Sequence, residues 1–432
     1  MAENKHVHRL SAKEARNIAR ENIKITRRYE KNKRRKNVKE EEYLTEMKNP
    51  DNVLEIENLQ TYFFTDVGVV KAVDSVSIEI PKGATVGIVG ESGCGKSVTS
   101  YSVMGLVQGP TGQVVGGEIR FKSEAIKLDE HKKPIPVYEL DEKGEKIVER
   151  EETDKFGKTK IIYRQKLDET GAPMFEKESK VYNIAKMPPY EYHKFRGREI
   201  AMIFQEPMTS LNPVFTIGYQ LDEIYLLHNP GATKELAQKR TYEMLKLVGI
   251  IPENVYKRYP HELSGGMRQR VVIAMALICN PRLIIGDEPT TALDVTIQAQ
   301  ILDLLRSIKD KINSSIMLIT HDLGVIAEMA DYVVVMYAGK VIETGTVMDV
   351  FCNPLHPYTI GLQKSKPVVN QDSPRLYSIP GNVPNPIEMP TYCYFKDRCD
   401  RACEKCSGSY PGYVQVSPTH KVACYLYAKE DE

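Results

Sequence analysis

The sequence predicts an α/β fold, and three observations carry that expectation. The first is an apolar run, Thr85-Val86-Gly87-Ile88-Val89, followed at once by Gly90-Glu91-Ser92-Gly93-Cys94-Gly95-Lys96-Ser97 and a helical stretch over residues 98–106. The second is a pair of further apolar runs, residues 283–286 and 316–319, which end in Asp287-Glu288 and in Thr320-His321. The third is alternation ahead of the glycine-rich loop, where Leu54, Ile56 and Leu59, then Val76, Ile78 and Ile80, are spaced by polar residues. Short apolar runs read as buried parallel strands, and alternation reads as antiparallel sheet. The expected architecture is a P-loop α/β domain with a mixed sheet core, an antiparallel β subdomain and a helical subdomain. An inserted β-rich segment and a small Cys-containing C-terminal region complete it.

The loop has the form G-x-x-x-x-G-K-S between strand and helix, the context that a phosphate-binding loop requires. Glycines let successive backbone N–H groups turn inward as an anion nest, and the new helix adds its free N–H groups and positive dipole end. Residues 90–98, from Gly90 to Val98, are thus the expected cradle for nucleotide phosphates. Lys96 would reach the β/γ-phosphates and Ser97 would ligate Mg²⁺.

In chain order, residues 1–50 form a basic extension. Its first 39 residues hold fourteen Lys/Arg against four Glu, about +10 in a chain whose formal total is +1. Ser11-Ala12-Lys13-Glu14 fits a capping box, and Ala15, Ile18, Ala19, Ile23 and Ile25 make a thin apolar stripe. A solvated, partly helical arm, contact with anionic lipid headgroups and contact with nucleic acid all remain open for it. The main domain spans 51–350. Tyr62, Phe63 and Phe64 sit between its first strands, either as core or as a face that stacks on adenine, Phe63 first. Residues 123–187 carry recurrent turn signals and short alternating runs, which read as a β-meander inserted into a surface loop.

Residues 199–204 return to strand, with Gln205 at the C-terminal end, where open α/β sheets place ligand contacts. Residues 206–275 are helical in pattern. Near their end Ser264, Gly265 and Gly266 start an apolar helix, a second anion site. Asp287 would hold Mg²⁺ through water, and Glu288 would accept a proton from the attacking water. Asp294 closes Thr291-Ala292-Leu293-Asp294, and His321 would bond the γ-phosphate or order the water.

This order of motifs resembles the ATPase subunit of ABC transporters over roughly residues 53–350, so the fold is expected to be of the ABC type. The resemblance implies ATP bound between two subunits facing head to tail, each ATP lying between one phosphate loop and the Ser264-Gly265-Gly266 segment of the other chain. It also implies Asp294 as a contact at that junction, and Gln205 as a ligand to Mg²⁺ and an aid to catalysis. The segment Phe204-Gln205-Glu206-Pro207-Met208-Thr209-Ser210-Leu211-Asn212-Pro213 resembles the oligopeptide/dipeptide/nickel importer subfamily, as do His356-Pro357-Tyr358-Thr359 and Ile379-Pro380-Gly381. Met208-Thr209-Ser210 with Thr65-Asp66 and Gly68 is closest in type to the D-type subunit of an oligopeptide permease. The implied partners are an F-type ATPase subunit, two transmembrane permease subunits and an extracytoplasmic peptide-binding lipoprotein. Dipeptide or nickel cargo stays open. A nucleic-acid ATPase is disfavoured, because such proteins carry two cassettes or long coiled coils.

No apolar run approaches the roughly 18–20 residues of a membrane span, and the N-terminus lacks a signal-like apolar stretch. The expected place is the cytoplasmic face of the membrane, reached through partners. Five of eight Cys fall in the last forty residues. In a reducing compartment that suggests metal before disulfides. Four thiolates suit either one Zn²⁺ or a [4Fe–4S] cubane. The spacing of Cys393, Cys399, Cys406 and Cys424, with Phe395, Arg398 and Ala402 around it, resembles the iron–sulfur motif of this importer subfamily. Cys403 is an extra thiol, and Tyr392 stands where that motif has Gly.

Overall fold

The computed structural model describes residues 11–127, 129–131, 133–153, 159–167, 173–229, 231–291, 294–365, 377–387 and 389–428. The expected turns at Lys155-Phe156-Gly157 and Glu169-Thr170-Gly171, and Ala292-Leu293, lie outside these residues.

Helix α1 (Ala12–Lys33) starts from the Ser11 capping box, in which Ser11 Oγ accepts from Glu14 N–H and Glu14 accepts from Ser11 N–H. Most of its residues stay exposed, and one side meets the end of the strand Asn52–Phe64 and the start of the strand Gly112–Ile126. Asn22 and Thr26 are buried, Asn22 Nδ2 donates to Thr65 O at 2.6 Å, and Tyr29 stacks on Phe64. Ile23 and Ile25 face outward, so the packing stripe is partly polar and differs from the expected apolar one. Strand β1 (Leu44–Thr45) then joins the sheet edge, so the extension enters the fold before residue 51.

Strands β2 (Asn52–Phe64) and β3 (Val69–Pro81) form a long antiparallel pair. Strand β4 (Thr85–Val89) leads through the glycine-rich loop into α2 (Lys96–Val103). Strand β5 (Gly112–Ile126) pairs with β2, and the chain then leaves the main body. In the insert, β6 (Val148–Thr153) pairs with β7 (Thr159–Tyr163), and isolated bridges such as Pro136–Phe175 and Tyr138–Gln165 tie the arm together. Strand β8 (Lys177–Asn183) brings the chain back between β5 and β1, so the end of the insert belongs to the main sheet. That five-stranded sheet has the order β1-β8-β5-β2-β3.

Strand β9 (Ile200–Ile203) opens the second half. Helices α3 (Pro207–Ser210), α4 (Ile217–His228), α5 (Lys234–Leu247), α6 (Pro252–Val255) and α7 (Gly265–Leu277) come next. Then come β10 (Leu283–Asp287), α8 (Val295–Ile312), β11 (Ser315–Ile319), α9 (Leu323–Met329), β12 (Tyr332–Tyr337) and β13 (Lys340–Thr346). Helices α10 (Val347–Cys352) and α11 (Pro357–Lys364) precede the short strands β14 (Val414–Gln415) and β15 (Lys421–Val422). The eight-stranded sheet runs β14-β15-β13-β12-β4-β11-β10-β9, with β12, β4, β11, β10 and β9 mutually parallel. The sheet does not end at β13: β15 pairs with it, so the Cys-containing region supplies two strands.

Side chains of the parallel strands alternate between two cores. Ile284 and Leu318 join the helices, whereas Ile285, Met317 and Ile319 join the antiparallel sheet and α2. Burial on both faces explains why these strands read as unbroken apolar runs. Tyr394 and Phe395 of the C-terminal region enter the first of these cores.

A buried polar knot ties α11 to the sheet. Glu343, fully buried in β13, accepts from the N–H groups of Leu355 and His356 and faces His420 Nε2 at 2.8 Å. His356 caps α11 by accepting Tyr358 N–H on Nδ1 at 3.0 Å. Burial lowers its pKa to about 4, against the pull of Glu343. An unfolded His binds its proton near pH 6.5, so stability is present above that pH and drains as pH falls towards about 4. His356→Asn keeps a cap acceptor but cannot titrate. It should melt at a lower temperature at neutral pH, because the ring leaves a void, yet lose less of its Tm on acidification than the parent chain. Thermal melts at stepped pH check this, and equal acid losses would remove His356 from the account.

Candidate nucleotide site

The loop after β4 is shaped by glycines at two close approaches. A Cβ on Gly90 (φ +156°) would lie 2.2 Å from Met336 O, and one on Gly95 (φ +101°) would lie 2.3 Å from Ala72 O. Lys96 is buried, and its Nζ donates to Gly90 O at 2.8 Å and to Glu91 O at 3.1 Å. Ser92 is exposed, Cys94 is buried with its Sγ 3.9 Å from Lys96 Nζ, and Val98 packs partly buried against the antiparallel-sheet core.

Parallel pairing brings three strand ends together. Asp287 ends β10, and Ser97 Oγ donates to Asp287 Oδ1 at 2.9 Å. Tyr101, one turn along α2, lies near enough to Asp287 for each to influence the other's ionisation. Burial pushes the Asp287 carboxyl up, and the charge of Glu288 adds to this, while Ser97 and Lys96 oppose it. A buried carboxylate beside a hydroxyl is a donor set that fits a hard divalent cation, which would restore the charged form.

Glu288 has a left-handed backbone (φ +49°), a conformation costing roughly 1–3 kcal/mol for such a residue. Its N–H donates to Ile319 O at 2.8 Å, pinning it to β11. Three side chains hold its carboxylate: Gln205 Nε2 at 3.0 Å, Thr291 Oγ1 at 2.9 Å and His321 Nδ1 at 2.9 Å. Burial raises its pKa, but the bonds from His321 and Thr291 outweigh that, and the net position is below the ordinary Glu value. Glu288 is therefore ionised at neutral pH, the form that accepts a proton.

Ser264 caps α7, its Oγ accepting Met267 N–H at 3.3 Å, and Asp294 caps α8, accepting Ile297 N–H at 2.9 Å. The two helix starts are neighbours, since a Cβ on Gly266 would sit 3.1 Å from Ile297 Cγ2, whereas one on Gly265 would enter open space. Among the described residues, no hydrogen bond joins Ser264, Gly265, Gly266 or Asp294 to the phosphate loop. Of the three aromatics, Phe64 is buried under α1 and Tyr62 donates to Asp74 Oδ1 at 2.8 Å. Phe63 is half-buried beside Val107 and Gly112.

Four participants have no role in the motif reading, although Thr291, Tyr358 and Arg398 stand in quoted segments. Thr291 lies within a quoted motif without a role, and Tyr101 could have been found from its i+4 spacing to Ser97 on one helix face. Tyr358, whose hydroxyl accepts Glu91 N–H at 2.8 Å, and Arg398, which grips the Glu91 carboxylate at 3.0 and 3.1 Å, come from 267 and 307 residues away. Glu91, expected as a nucleotide contact, thus has its side chain engaged by Arg398.

At the C-terminus, all six pairs among Cys393, Cys399, Cys406 and Cys424 sense one another's charge. Burial is the largest influence on each of these thiols and raises all four. It pushes Cys393 and Cys424 up to about 11. Cys403 is exposed, 3.5 Å from Cys406 Sγ. Among the described residues, no three His, Cys, Asp or Glu side chains are close enough to hold one metal ion. No helix among them is long and apolar enough to cross a membrane.

Residues 73–153 and 157–291 match the ABC transporter family model, and residues 342–406 match that of the oligopeptide/dipeptide transporter C-terminal region. The chain is 44% identical to the oligopeptide transport ATP-binding protein AppD of Bacillus subtilis (strain 168), over 88% of this chain and 98% of AppD. It is 42% identical to DppD, the dipeptide transport ATP-binding protein of the same strain, over 88% of this chain and 97% of DppD. It is 42% identical to the oligopeptide transport ATP-binding protein OppD of that strain, over 87% of this chain and 88% of OppD. With a phosphate loop, a buried Asp287 and an anchored Glu288 at one sheet edge, and a matching C-terminal region, the chain belongs to the ABC ATPases of the oligopeptide/dipeptide transporter family.

Proposed function

We propose that this chain hydrolyses ATP to drive oligopeptide import, as one of two ATPase subunits that face each other head to tail. The observation that carries the reading is Glu288, ionised and held by Gln205, Thr291 and His321 beside Ser97 and Asp287. In this reading the loop N–H groups and Lys96 hold the phosphates, and Phe63 stacks on adenine. Ser97, Asp287 and Gln205 hold Mg²⁺, which supplies charge neutralisation at the phosphates. Glu288 takes a proton from the attacking water, and His321 fixes the carboxylate and orders that water. Ser264, Gly265, Gly266 and Asp294 stand outside their own phosphate loop, which supports their serving the ATP of a second subunit, here an F-type partner.

An apolar groove of about 850 Å³, lined by Phe204, Ser210, Ile224, Leu227 and Met275, lies beside Gln205. It supports docking of a helix from a membrane permease subunit, of which the transporter would have two, and this would place the chain at the cytoplasmic face and link motion at Gln205 to transport. An extracytoplasmic lipoprotein would deliver the peptide. A dipeptide cargo is the second reading, favoured by the 42% identity to DppD. The outward face of α1, with Arg16, Arg20, Lys24, Arg27 and Arg28 exposed, supports contact with anionic headgroups.

Glu288→Gln keeps the shape and removes the base, so turnover should fall about 10²–10⁴-fold while ATP stays bound and the subunits stay closed. Lys96→Ala should lose nucleotide binding itself. Phosphate release and nucleotide retention in a reconstituted transporter measure both, and parental turnover by the Gln variant would sink the assignment of Glu288.

Cys393, Cys399, Cys406 and Cys424 are proposed to hold a [4Fe–4S] cluster that staples the C-terminal region. Support comes from the placement of Cys393 and Cys399 against the helical-side core, with Cys406 and Cys424 buried in the same C-terminal region. Anaerobic purification should give a brown protein with about four irons per chain, and Cys399→Ser should lower that content. A colourless protein holding one zinc, or iron unchanged by the substitution, would defeat the cluster.

A further inference from the structure

Glu91 is a physical oddity: a carboxylate in a loop whose task is to hold anions. Its main chain is tied both to the loop and to α11. The N–H donates to Tyr358 Oη at 2.8 Å, and the C=O receives Lys96 Nζ at 3.1 Å. The side chain meets Arg398 in a two-pronged bond, Nη1 to Oε2 at 3.0 Å and Nη2 to Oε1 at 3.1 Å. Arg398 is itself fixed. Its side chain is 7% exposed, Nε donates to Pro380 O at 2.9 Å, and Nη1 lies 3.3 Å from Tyr337 Oη. The guanidinium carbon lies 5.7 Å from the Tyr337 ring centre and 5.9 Å from that of Phe395. Phe395 packs edge-on against Tyr337 and Tyr358, which closes the support.

The short turn that carries Arg398 is bounded by thiols. Lys396 N–H donates to Cys393 O and Cys399 N–H donates to Lys396 O, both at 3.1 Å. A planar, rigidly seated guanidinium matched to a carboxylate is the strongest neutralising pair that side chains can make.

We propose that Arg398 is a positioning residue of the nucleotide site: by its two-pronged bond it cancels the Glu91 charge that the phosphate loop would otherwise present to a polyanionic nucleotide, and so it sets ATP affinity. The proposal rests on the reading of residues 90–97 as the ATP-phosphate loop. In this proposal Arg398 acts through Glu91. Its loss leaves a bare carboxylate beside the anion nest, so binding weakens by repulsion. Loss of both charges removes the repulsion.

The test is calorimetric titration of the full-length chain with Mg²⁺-ATP, with melting curves for each variant. Arg398→Met should raise Kd roughly ten-fold, the scale of one near-surface charge interaction. Arg398→Lys, which keeps the charge without the fork, should lose less. Arg398→Met combined with Glu91→Gln should recover to within about three-fold of the parent. That recovery separates charge cancellation from bracing, because bracing is lost in the double variant too. An unchanged Kd in Arg398→Met, or a double variant no better than Arg398→Met, overturns the proposal. If Arg398→Met fails to fold, the double variant decides against the parent: a Kd within about three-fold supports charge cancellation, and a loss of about ten-fold overturns it. A parent chain that binds no Mg²⁺-ATP overturns the phosphate-loop reading, and this proposal with it.

Discussion

Parallel registration of three strands is the constraint on which the site depends. Strand β11 pairs with β4 on one side and β10 on the other, with Ile319 opposite both Ile88 and Asp287. The three strands therefore run out at one level. The glycine-rich loop, Glu288 and His321, each just past the end of one strand, are delivered together to the C-terminal end of the sheet. Burial on both faces fixes this register, because a slip by one residue would exchange the side chains of the two cores. The left-handed backbone at Glu288 is the local consequence: the chain must turn sharply off β10 to set the carboxylate over the edge, and the bond to Ile319 O holds it there.

The site is legible in the sequence to the extent that its chemistry is local. Lys96 and Ser97 close the loop directly, Asp287 and Glu288 come straight after an apolar run, and Ser264 and Asp294 stand at helix starts where small polar residues belong. Charge cancellation at Glu91 is not legible, because the partner is 307 residues away and Arg398 reads in sequence only as a companion of the cysteine spacing. Helix α1 departs from expectation for a related reason. It docks through Asn22, Thr26 and Tyr29, and a polar contact stripe is invisible to hydrophobic periodicity. The insert reads as separate in sequence, yet β8 lies inside the main sheet, since pairing partners so far apart leave no local trace. The C-terminal region is too poor in apolar residues for a core of its own. The structure shows the physical answer: it borrows one, placing Tyr394 and Phe395 against the helical side of the sheet and adding β15 to its edge.

The seating of Arg398 also bears on the order in which the molecule becomes whole. Translation runs from the N-terminus, and segments fold as they emerge. Residues 90–97 therefore meet solvent while the Phe395–Arg398 turn, β14 and β15 are still unmade. Until those arrive, Glu91 has no counter-charge, and the outer side of β13 is an open edge. A segment 307 residues downstream thus supplies the neutralising charge of a loop made earlier, so the nucleotide site is complete only long after its motif has been translated.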